Sequence, residues 1–237
     1  MALVLAGGMG SRMGRPKQFI DLLGVPALFY TLRAFEEAAE VSRIYAVGDR
    51  ARIENLVEEA SISKYAGCAP PGESRSLSVR SGLSLIEEAP ETVVLVHDGS
   101  RCLITPDLVR RVVAAAYDGA DGAVPALPVS DTIKVVDNGA VLETLDRTKL
   151  RAAQTPQAFR LDLLRTAYAG PEARLRAATD DASLVERAGG RVLVVEGEKT
   201  NIKLTSPEDL IFAEAILGAR ANIDERPPYK VRNRAWP

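Results

Sequence analysis

The sequence has 237 residues, of which 46% are hydrophobic and 26% are charged, a balance typical of a globular protein with one large domain. Its 30 basic and 32 acidic residues give a formal net charge of -2, so nothing in the composition indicates a nucleic-acid partner. No apolar run is long enough to cross a bilayer and no signal-like segment is present, so we expect no membrane partner. Cys68 and Cys102 form no metal or redox motif, and we expect two free thiols in the cytoplasm.

Short apolar runs and amphipathic segments alternate along the first half of the chain. They predict strands over 2–5, 43–48, 92–97 and 122–127, and helices over 27–40, 50–60, 76–88 and 105–117. Thr105 and Pro106 are a typical N-cap and first position for the last of these helices. This order predicts a Rossmann-like α/β fold, in which a mainly parallel sheet carries helices on both faces. In such folds ligands bind at the carboxyl ends of the strands.

Residues 131–147 interrupt this alternation. Two runs with alternating apolar residues flank Asn138-Gly139, a strong signal for a tight turn, and predict a protruding β-hairpin arm. A hairpin alone buries too little surface to be stable, so we expect this arm to pack against a second copy of the chain in a homodimer. The apolar side chains that alternate along it are Ile133, Val135, Val141 and Leu145.

The second half of the chain resumes the alternation and ends in a charged segment. Helices are predicted near 160–168 and 179–188, a strand over 191–197, and a closing helix over 206–217. We therefore expect one domain over residues 1–217. Residues 218–237 contain a Pro-Pro pair and many charges, and they are predicted to form a loosely ordered tail.

The stretch 5–19 carries four glycines and three basic side chains directly after the first strand. It is neither a Rossmann dinucleotide fingerprint, because its glycines are spaced G-x-G-x-x-x-G, nor a Walker P-loop. A loop of small residues can wrap a triphosphate with its backbone amides. Arg12 and Lys17 would then supply positive charge where negative charge grows during attack on a phosphoryl centre. The alternative is a surface turn with solvated basic residues.

Other charged residues follow predicted strands. Asp98 directly follows the apolar run 92–97 and is a candidate Mg²⁺ ligand. The alternative role for Asp98 is a local salt bridge with Arg101. His97 is more easily read as a structural residue than as a catalytic one. The acidic run 179–183 has the pattern of a helix N-cap. Lys203 follows a predicted strand, and the alternative to a functional role is that it is simply exposed at the surface.

These pieces occur together and in one order: L-A-G-G-x-G-x-R-M-G from Leu5, P-K-Q from Pro16, H-D-x-x-R from His97, D-T from Asp131, D-R from Asp146, Q-T-P-Q from Gln154, T-D-D-A-S from Thr179 and N-I-K from Asn201. The sequence closely resembles the 2-C-methyl-D-erythritol 4-phosphate cytidylyltransferase family over residues 2 to about 217. The resemblance implies that CTP and the polyol phosphate methylerythritol phosphate react, with Mg²⁺, to give the CDP-linked alcohol and pyrophosphate. The substrate phosphate would attack the α-phosphorus of CTP in line, without a covalent enzyme intermediate.

The resemblance also implies a role for individual residues. The catalytic groups would be Arg12 and Lys17 on the triphosphate, together with Lys203. The nucleotide would be bound by Ala6, Gly7, Gly8, Gly72 and Ser78. The polyol phosphate would be bound by Asp98, Arg101, Thr132, Arg147, Thr155 and Thr179. Thr132 and Arg147 lie on the hairpin, which in the family is a dimerisation arm that reaches into the neighbouring site.

The sequence departs from the family pattern in two short motifs. Gly99 and Cys102 stand in a turn that often reads H-D-A-A-R-P, and Pro71 replaces the first glycine of a nucleotide loop that commonly reads G-G-x-x-R. The alternative function is ribitol 5-phosphate cytidylyltransferase, whose family shares the opening motif. The later motifs around Arg147 and Thr179 favour the isoprenoid enzyme. A non-catalytic nucleotide-binding module is a rival from another class, but it would lack basic groups at the phosphates.

Overall fold

The computed structural model of the protein describes residues 1–8 and 16–223, so the predictions for Arg12 and for residues 224–237 lie outside the described residues. The strands of the central sheet are β1 (Ala2–Leu5), β4 (Ile44–Val47), β5 (Tyr65–Ala69), β6 (Val93–Asp98), β7 (Gly122–Pro128), β10 (Arg151–Ala153), β11 (Gln157–Arg160) and β12 (Val192–Glu196). Two small antiparallel pairs lie outside it, β2 (Asp21–Leu22) with β3 (Val25–Pro26) and β8 (Lys134–Asp137) with β9 (Ala140–Thr144).

The eight-stranded sheet has the order β10-β7-β11-β6-β1-β4-β5, and β12 pairs with β7. Neighbouring pairs β6-β1, β1-β4 and β4-β5 are parallel, and so is β7-β12. The two short strands β10 and β11 run antiparallel to their neighbours. The prediction of a mainly parallel sheet is therefore confirmed, but the sequence pattern did not indicate β5, β10 or β11.

The helices are α1 (Ala27–Glu37), α2 (Arg50–Ala60), α3 (Arg75–Leu83), α4 (Pro106–Tyr117), α5 (Leu161–Tyr168), α6 (Glu172–Arg176), α7 (Asp181–Arg187) and α8 (Pro207–Ile223). Successive side chains of a strand point to opposite faces of a sheet. Accordingly Ala2 and Val4 of β1 belong to a core with α1, α2 and α4, whereas Leu3 belongs to a core with α3, α5 and α7. Helices thus cover both faces, as predicted.

Several helix ends differ from the predicted ones. The apolar spacing that predicted helices to 40 and 88 continues past the true ends at Glu37 and Leu83, because loop residues there are also buried. The capped start of α4 is confirmed, since the Thr105 side chain accepts the Leu108 N–H and Pro106 follows it. The short helix α6 was not predicted.

The closing helix runs on to Ile223 instead of ending near residue 217. Arg220 anchors this extension, because its Nη2 donates to the Leu103 carbonyl O at 3.0 Å and to Thr200 Oγ1 at 3.1 Å. The first residues of the predicted loose tail are therefore helical. No helix within residues 1–8 and 16–223 has the length and apolar character needed to span a membrane.

The predicted hairpin arm is present as β8 and β9. Asn138 and Gly139 form its turn with positive φ values of 46° and 81°, which asparagine and glycine tolerate best. The two strands pair with each other and form a sheet separate from the central one. Val136, Val141 and Leu142 on the arm are between 56% and 66% exposed, so the single chain leaves its apolar residues uncovered.

A buried chain of hydrogen bonds fixes the end of β6. His97 Nε2 lies 3.2 Å from the Arg101 carbonyl O, which can only accept, so this nitrogen carries the proton. His97 Nδ1 then accepts from Thr155 Oγ1 at 3.0 Å, and Thr155 Oγ1 in turn accepts the Asp98 N–H at 3.1 Å. Burial lowers the pKa of His97 to about 3, so the ring stays neutral near pH 7. His97 is thus structural, as the sequence suggested.

This burial makes the stability of the fold depend on pH. The pKa of His97 rises from about 3 in the folded protein to an ordinary value of 6.5 on unfolding, so the unfolded chain binds more protons between these values. The free energy of unfolding should therefore fall as the pH drops below 6.5. His97→Gln keeps one donor and one acceptor but does not titrate. Between pH 7.5 and 4.5, wild type should lose about 3 kcal/mol more stability than His97→Gln in urea denaturation. Parallel losses in the two proteins would contradict this prediction.

Candidate functional site

A cleft lies at the carboxyl ends of β1 and β6. Leu5 and Asp98, the last residues of these strands, are register partners, and the Gly99 N–H donates to the Leu5 carbonyl O at 2.9 Å. The cleft has a volume of about 520 Å³. Its lining residues are Leu5, Gly7, Gly8, Lys17, Gln18, Gly72, Glu73, Ser74, Arg75, Ser78, Asp98, Ser100 and Lys203. Seven of the residues predicted from the sequence are among them, on the edge of the sheet where ligands were expected.

One side chain, that of Gln18, holds the backbone of residues 6–8 in the glycine-rich segment. Gln18 is buried, and its Nε2 donates to the carbonyl oxygens of Ala6 and, at 3.1 Å, of Gly8. Ala6 is 1% exposed and lies beneath the cleft instead of lining it. At Gly7 an added Cβ would overlap the ring of Pro71, so the glycine lets two loops pack against each other at backbone distance.

The loop 70–74, which contains the predicted nucleotide-binding residue Gly72, is held by hydroxyl groups. Ser78 Oγ accepts the Gly72 N–H at 3.0 Å and donates to the Ser74 carbonyl O at 3.0 Å. The Ser74 side chain in turn caps α3 by accepting the Leu77 N–H. Gly72 packs so tightly that a Cβ would overlap Leu77. Ser78 therefore fixes the shape of this loop from within, in addition to lining the cleft.

Two lysines from distant parts of the chain reach the cleft. Lys203 Nζ lies 2.7 Å from Asp98 Oδ2. Lys17, which begins a short 3₁₀ helix Lys17–Phe19, donates from Nζ to the Thr205 carbonyl O at 3.4 Å. Lys17 thus contacts the segment 203–205 that contains Lys203, and both predicted catalytic lysines line the same cleft.

Asp98 also pairs with Arg75. Its Oδ1 accepts from Arg75 Nε at 2.8 Å, and the two other guanidinium nitrogens bind the carboxylate of Asp181 at 3.0 and 2.8 Å. Burial opposes the charged form of Asp98, but Arg75 and Lys203 outweigh it and hold the pKa of this carboxyl well below its usual range. Asp98 therefore stays ionised at any physiological pH.

The predicted Mg²⁺ site can be compared with this geometry. Both oxygens of Asp98 already accept hydrogen bonds from cationic side chains. Among residues 1–8 and 16–223, no three His, Cys, Asp or Glu side chains come together in a way that could hold a metal ion. The described side chains do not by themselves form a Mg²⁺ site, and the role of Asp98 as a ligand stays a prediction. Asp98 has a different part in this structure, that of the anion between Arg75 and Lys203.

Arg101 and Thr155 lie beside the cleft instead of lining it. Arg101 Nη1 donates to the Asn201 carbonyl O at 2.8 Å, and Asn201 Nδ2 donates to the Thr155 carbonyl O at 2.9 Å. No ion pair joins Asp98 to Arg101 in the described part of the chain, so the local salt bridge considered from the sequence is not formed. Burial lowers the pKa of Arg101.

The remaining predicted residues are separate from the cleft within one chain. Thr132 and Arg147 are exposed on the hairpin segment, and Thr179 is exposed just before α7. Arg147 Nη1 donates to the Ser130 carbonyl O at 2.5 Å. The ion pairs formed by the described residues include none from Arg147 to Asp146 or Glu143.

Sequence reasoning missed Arg75 and Gln18 as residues of the cleft. One local signal pointed to Arg75: it opens α3, where the positive end of the helix dipole disfavours a cation. A basic residue at that position indicates an anionic partner elsewhere in the fold. No sequence pattern indicates a comparable role for Gln18, because its partners are backbone carbonyl groups, whose positions depend on the fold and not on residue type.

Comparison with known proteins adds to this geometry. Residues 1–219 match the family model described as IspD, 2-C-methyl-D-erythritol 4-phosphate cytidylyltransferase. A protein of that name from Rubrobacter xylanophilus is 67% identical over 220 residues, which cover 93% of this chain and 95% of the relative. Another of that name, from Shouchella clausii, is 45% identical and is matched over 97% of its length, with 93% of this chain covered.

Solved structures give the same result. The crystal structure of 2-C-methyl-D-erythritol 4-phosphate cytidylyltransferase from Thermus thermophilus is similar at a TM-score of 0.73 and 32% identity, and the match covers 91% of this chain and 98% of that one. A crystal structure of 4-diphosphocytidyl-2C-methyl-D-erythritol synthase matches at a TM-score of 0.78 and 30% identity, covering 91% and 97%. The chain belongs to the 2-C-methyl-D-erythritol 4-phosphate cytidylyltransferase family.

Proposed function

We propose that this protein joins CTP and 2-C-methyl-D-erythritol 4-phosphate, giving 4-diphosphocytidyl-2-C-methyl-D-erythritol and pyrophosphate in the non-mevalonate isoprenoid pathway. The observation that carries the proposal is that Lys17, Lys203 and Asp98 line one cleft together with Gly7 and Gly8, in a chain of this family. The relatives named above carry the methylerythritol name, and nothing observed favours ribitol 5-phosphate as the acceptor.

The cleft fits a direct transfer. An oxygen of the polyol phosphate attacks the α-phosphorus of CTP, a new P–O bond forms, and the bond to the bridging oxygen breaks as pyrophosphate leaves. Lys17 and, outside the described residues, Arg12 supply positive charge where negative charge grows on the phosphoryl group. Lys203 binds and orients the incoming phosphate. The chain needs no covalent nucleophile for this step.

We propose that Mg²⁺ enters the cleft with the triphosphate of CTP, as part of the nucleotide substrate. Mg²⁺ keeps several waters and is commonly bound through substrate phosphates with one or two carboxylates. Asp98 and Glu73 are the carboxylates that line the cleft, and the two cationic partners of Asp98 argue that it contributes little to coordination of the ion. When bound, the ion neutralises charge on the phosphates.

We propose a homodimer that forms through the hairpin arm, with Thr132 and Arg147 completing the polyol-phosphate site of the partner. Val136, Val141 and Leu142 are exposed and would be covered by a twofold-related copy. Arg147 makes its described contact with a backbone carbonyl, which leaves the positive charge of its planar guanidinium uncompensated by an acidic partner in that contact. The two free, buried thiols of Cys68 and Cys102 support a reducing, cytoplasmic setting.

The substrate pair can be tested by measuring pyrophosphate release from each of four nucleoside triphosphates with each of two polyol phosphates. We expect CTP with methylerythritol 4-phosphate to give the highest kcat/KM. Equal or better turnover with ribitol 5-phosphate would refute the acceptor assignment. Comparable turnover with ATP or GTP would refute the assignment of the base.

The role of Lys17 gives a second prediction. Lys17→Ala should lower kcat by roughly 10² to 10³-fold while changing the KM for CTP much less, because a charge aimed at the transition state acts preferentially there. Lys64→Ala is a matched control, since this lysine lies far from the cleft and donates to the Ala38 carbonyl O. A Lys17→Ala variant with near-normal kcat would contradict a role for Lys17 in the transfer step.

A mixing experiment tests whether Arg147 acts on the partner. Arg147→Ala and Lys17→Ala should each be nearly inactive alone. In a mixed dimer one site collects both substitutions and the other collects neither, so a 1:1 mixture after subunit exchange should regain about a quarter of wild-type activity. If exchange is demonstrated with tagged subunits and no activity returns, Arg147 does not act in trans. A chain that is monomeric at assay concentration would also refute it.

A further inference from the structure

Arg75 joins three elements that surround the cleft. It is the first residue of α3, and it contacts Asp98 at the end of β6 and Asp181 at the start of α7. All three guanidinium nitrogens take part, with Nε on Asp98 and both Nη atoms on Asp181. This bidentate contact with the Asp181 carboxylate fixes the plane of the guanidinium as well as its position.

Asp181 is a rigid anchor for this arrangement. Its side chain is 0% exposed, and its Oδ1 accepts a second hydrogen bond from the Tyr168 hydroxyl at 2.5 Å. A buried carboxylate is stable only with a cation and hydrogen bonds around it. Arg75 therefore cannot leave Asp181 without exposing an uncompensated charge in the core, and the direction of its Nε is set by this contact.

The remaining contact determines how Asp98 meets Lys203. Because Arg75 Nε takes Oδ1 of Asp98, Lys203 binds Oδ2 alone, at 2.7 Å. An ammonium group has three N–H donors, and this contact uses one of them. Lys203 is 42% exposed, so it remains accessible at the cleft while its ammonium is held by a fixed oxygen.

We propose that Arg75 is a positioning residue of the transfer reaction: anchored on Asp181, it holds Asp98 with one oxygen toward Lys203 and so sets where Lys203 meets the polyol phosphate. This inference rests on the proposed function. The position of Arg75 at the start of α3, where a cation is unfavourable for the helix, is independent support. The competing explanation is that Arg75 only neutralises Asp181 in the core.

The two explanations differ in a double-mutant cycle. Arg75→Lys keeps a positive charge near Asp181, but an ammonium cannot span both carboxylates as the guanidinium does. We expect it to lower kcat/KM for the polyol phosphate by roughly 10 to 100-fold, since small misplacements of a binding group have effects of this size, and to change the KM for CTP by less than about 3-fold. In a Lys203→Ala background, Arg75→Lys should lower kcat/KM for the polyol phosphate by less than about 3-fold, because the lysine that Arg75 positions is absent.

Arg80→Lys is the matched control. Arg80 lies on the same helix, is half-buried, and pairs with Glu172 instead of Asp98. This variant should retain wild-type kinetics. Arg75→Gln with Asp181→Asn removes both charges of the buried pair, and it should regain the thermal stability lost in Arg75→Gln without regaining kcat/KM for the polyol phosphate.

Three results would overturn the inference. The first is an equal loss from Arg75→Lys with and without Lys203, and the second is a rise in the KM for CTP as large as that for the polyol phosphate. The third is recovery of activity along with stability in the double variant. If wild type and Arg80→Lys do not turn over CTP with methylerythritol phosphate, the proposed function itself fails. Normal turnover by these two and by the Arg75 variants defeats the positioning role alone.

Discussion

The ion pairs of Asp98 are the constraint on which the cleft depends. This carboxylate ends a strand that is buried along its whole length, so its charge is held in a poorly solvated place. Two cations from distant parts of the chain stabilise it, Arg75 from the start of α3 and Lys203 from the segment before α8. Without Asp98, Lys203 would lose the group that holds its ammonium, and Arg75 would stay anchored on Asp181 but lose the partner of its Nε.

The rest of the fold supports this arrangement through backbone geometry. Parallel pairing of β1 with β6 places Leu5 opposite Asp98, and this brings Gly7 and Gly8 to the same cleft as the carboxylate. The buried chain through His97 and Thr155 holds the Asp98 N–H, so the backbone of this residue is fixed as firmly as its side chain. The backbone of Asp98 is thus positioned by neutral hydrogen bonds and its carboxylate by ion pairs.

Much of this could be predicted from the sequence because it follows from local periodicity. The runs 2–5 and 92–97 have strand character, and a parallel sheet then requires that the residues after them share one edge. Asn138-Gly139 likewise identifies the hairpin by turn chemistry alone. The parts that could not be predicted depend on distant residues. Arg75 and Asp181 are 106 positions apart, and only the packed fold makes them neighbours. The strands β10 (RAA) and β11 (QAFR) lack the continuous apolar run that identified β1 and β6.

The contact between Gly7 and Pro71 has a consequence for how this family can diverge. A side chain at position 7 would occupy the space that the proline ring fills, so the two positions cannot vary independently. If position 71 were glycine, the proline atoms that overlap the added Cβ would be absent; with Pro71 in place, a side chain at position 7 is excluded. The order of substitutions therefore matters, and a lineage that acquires the proline first makes the glycine irreplaceable. A side chain at position 7 should therefore be tolerated only when Pro71 is replaced at the same time.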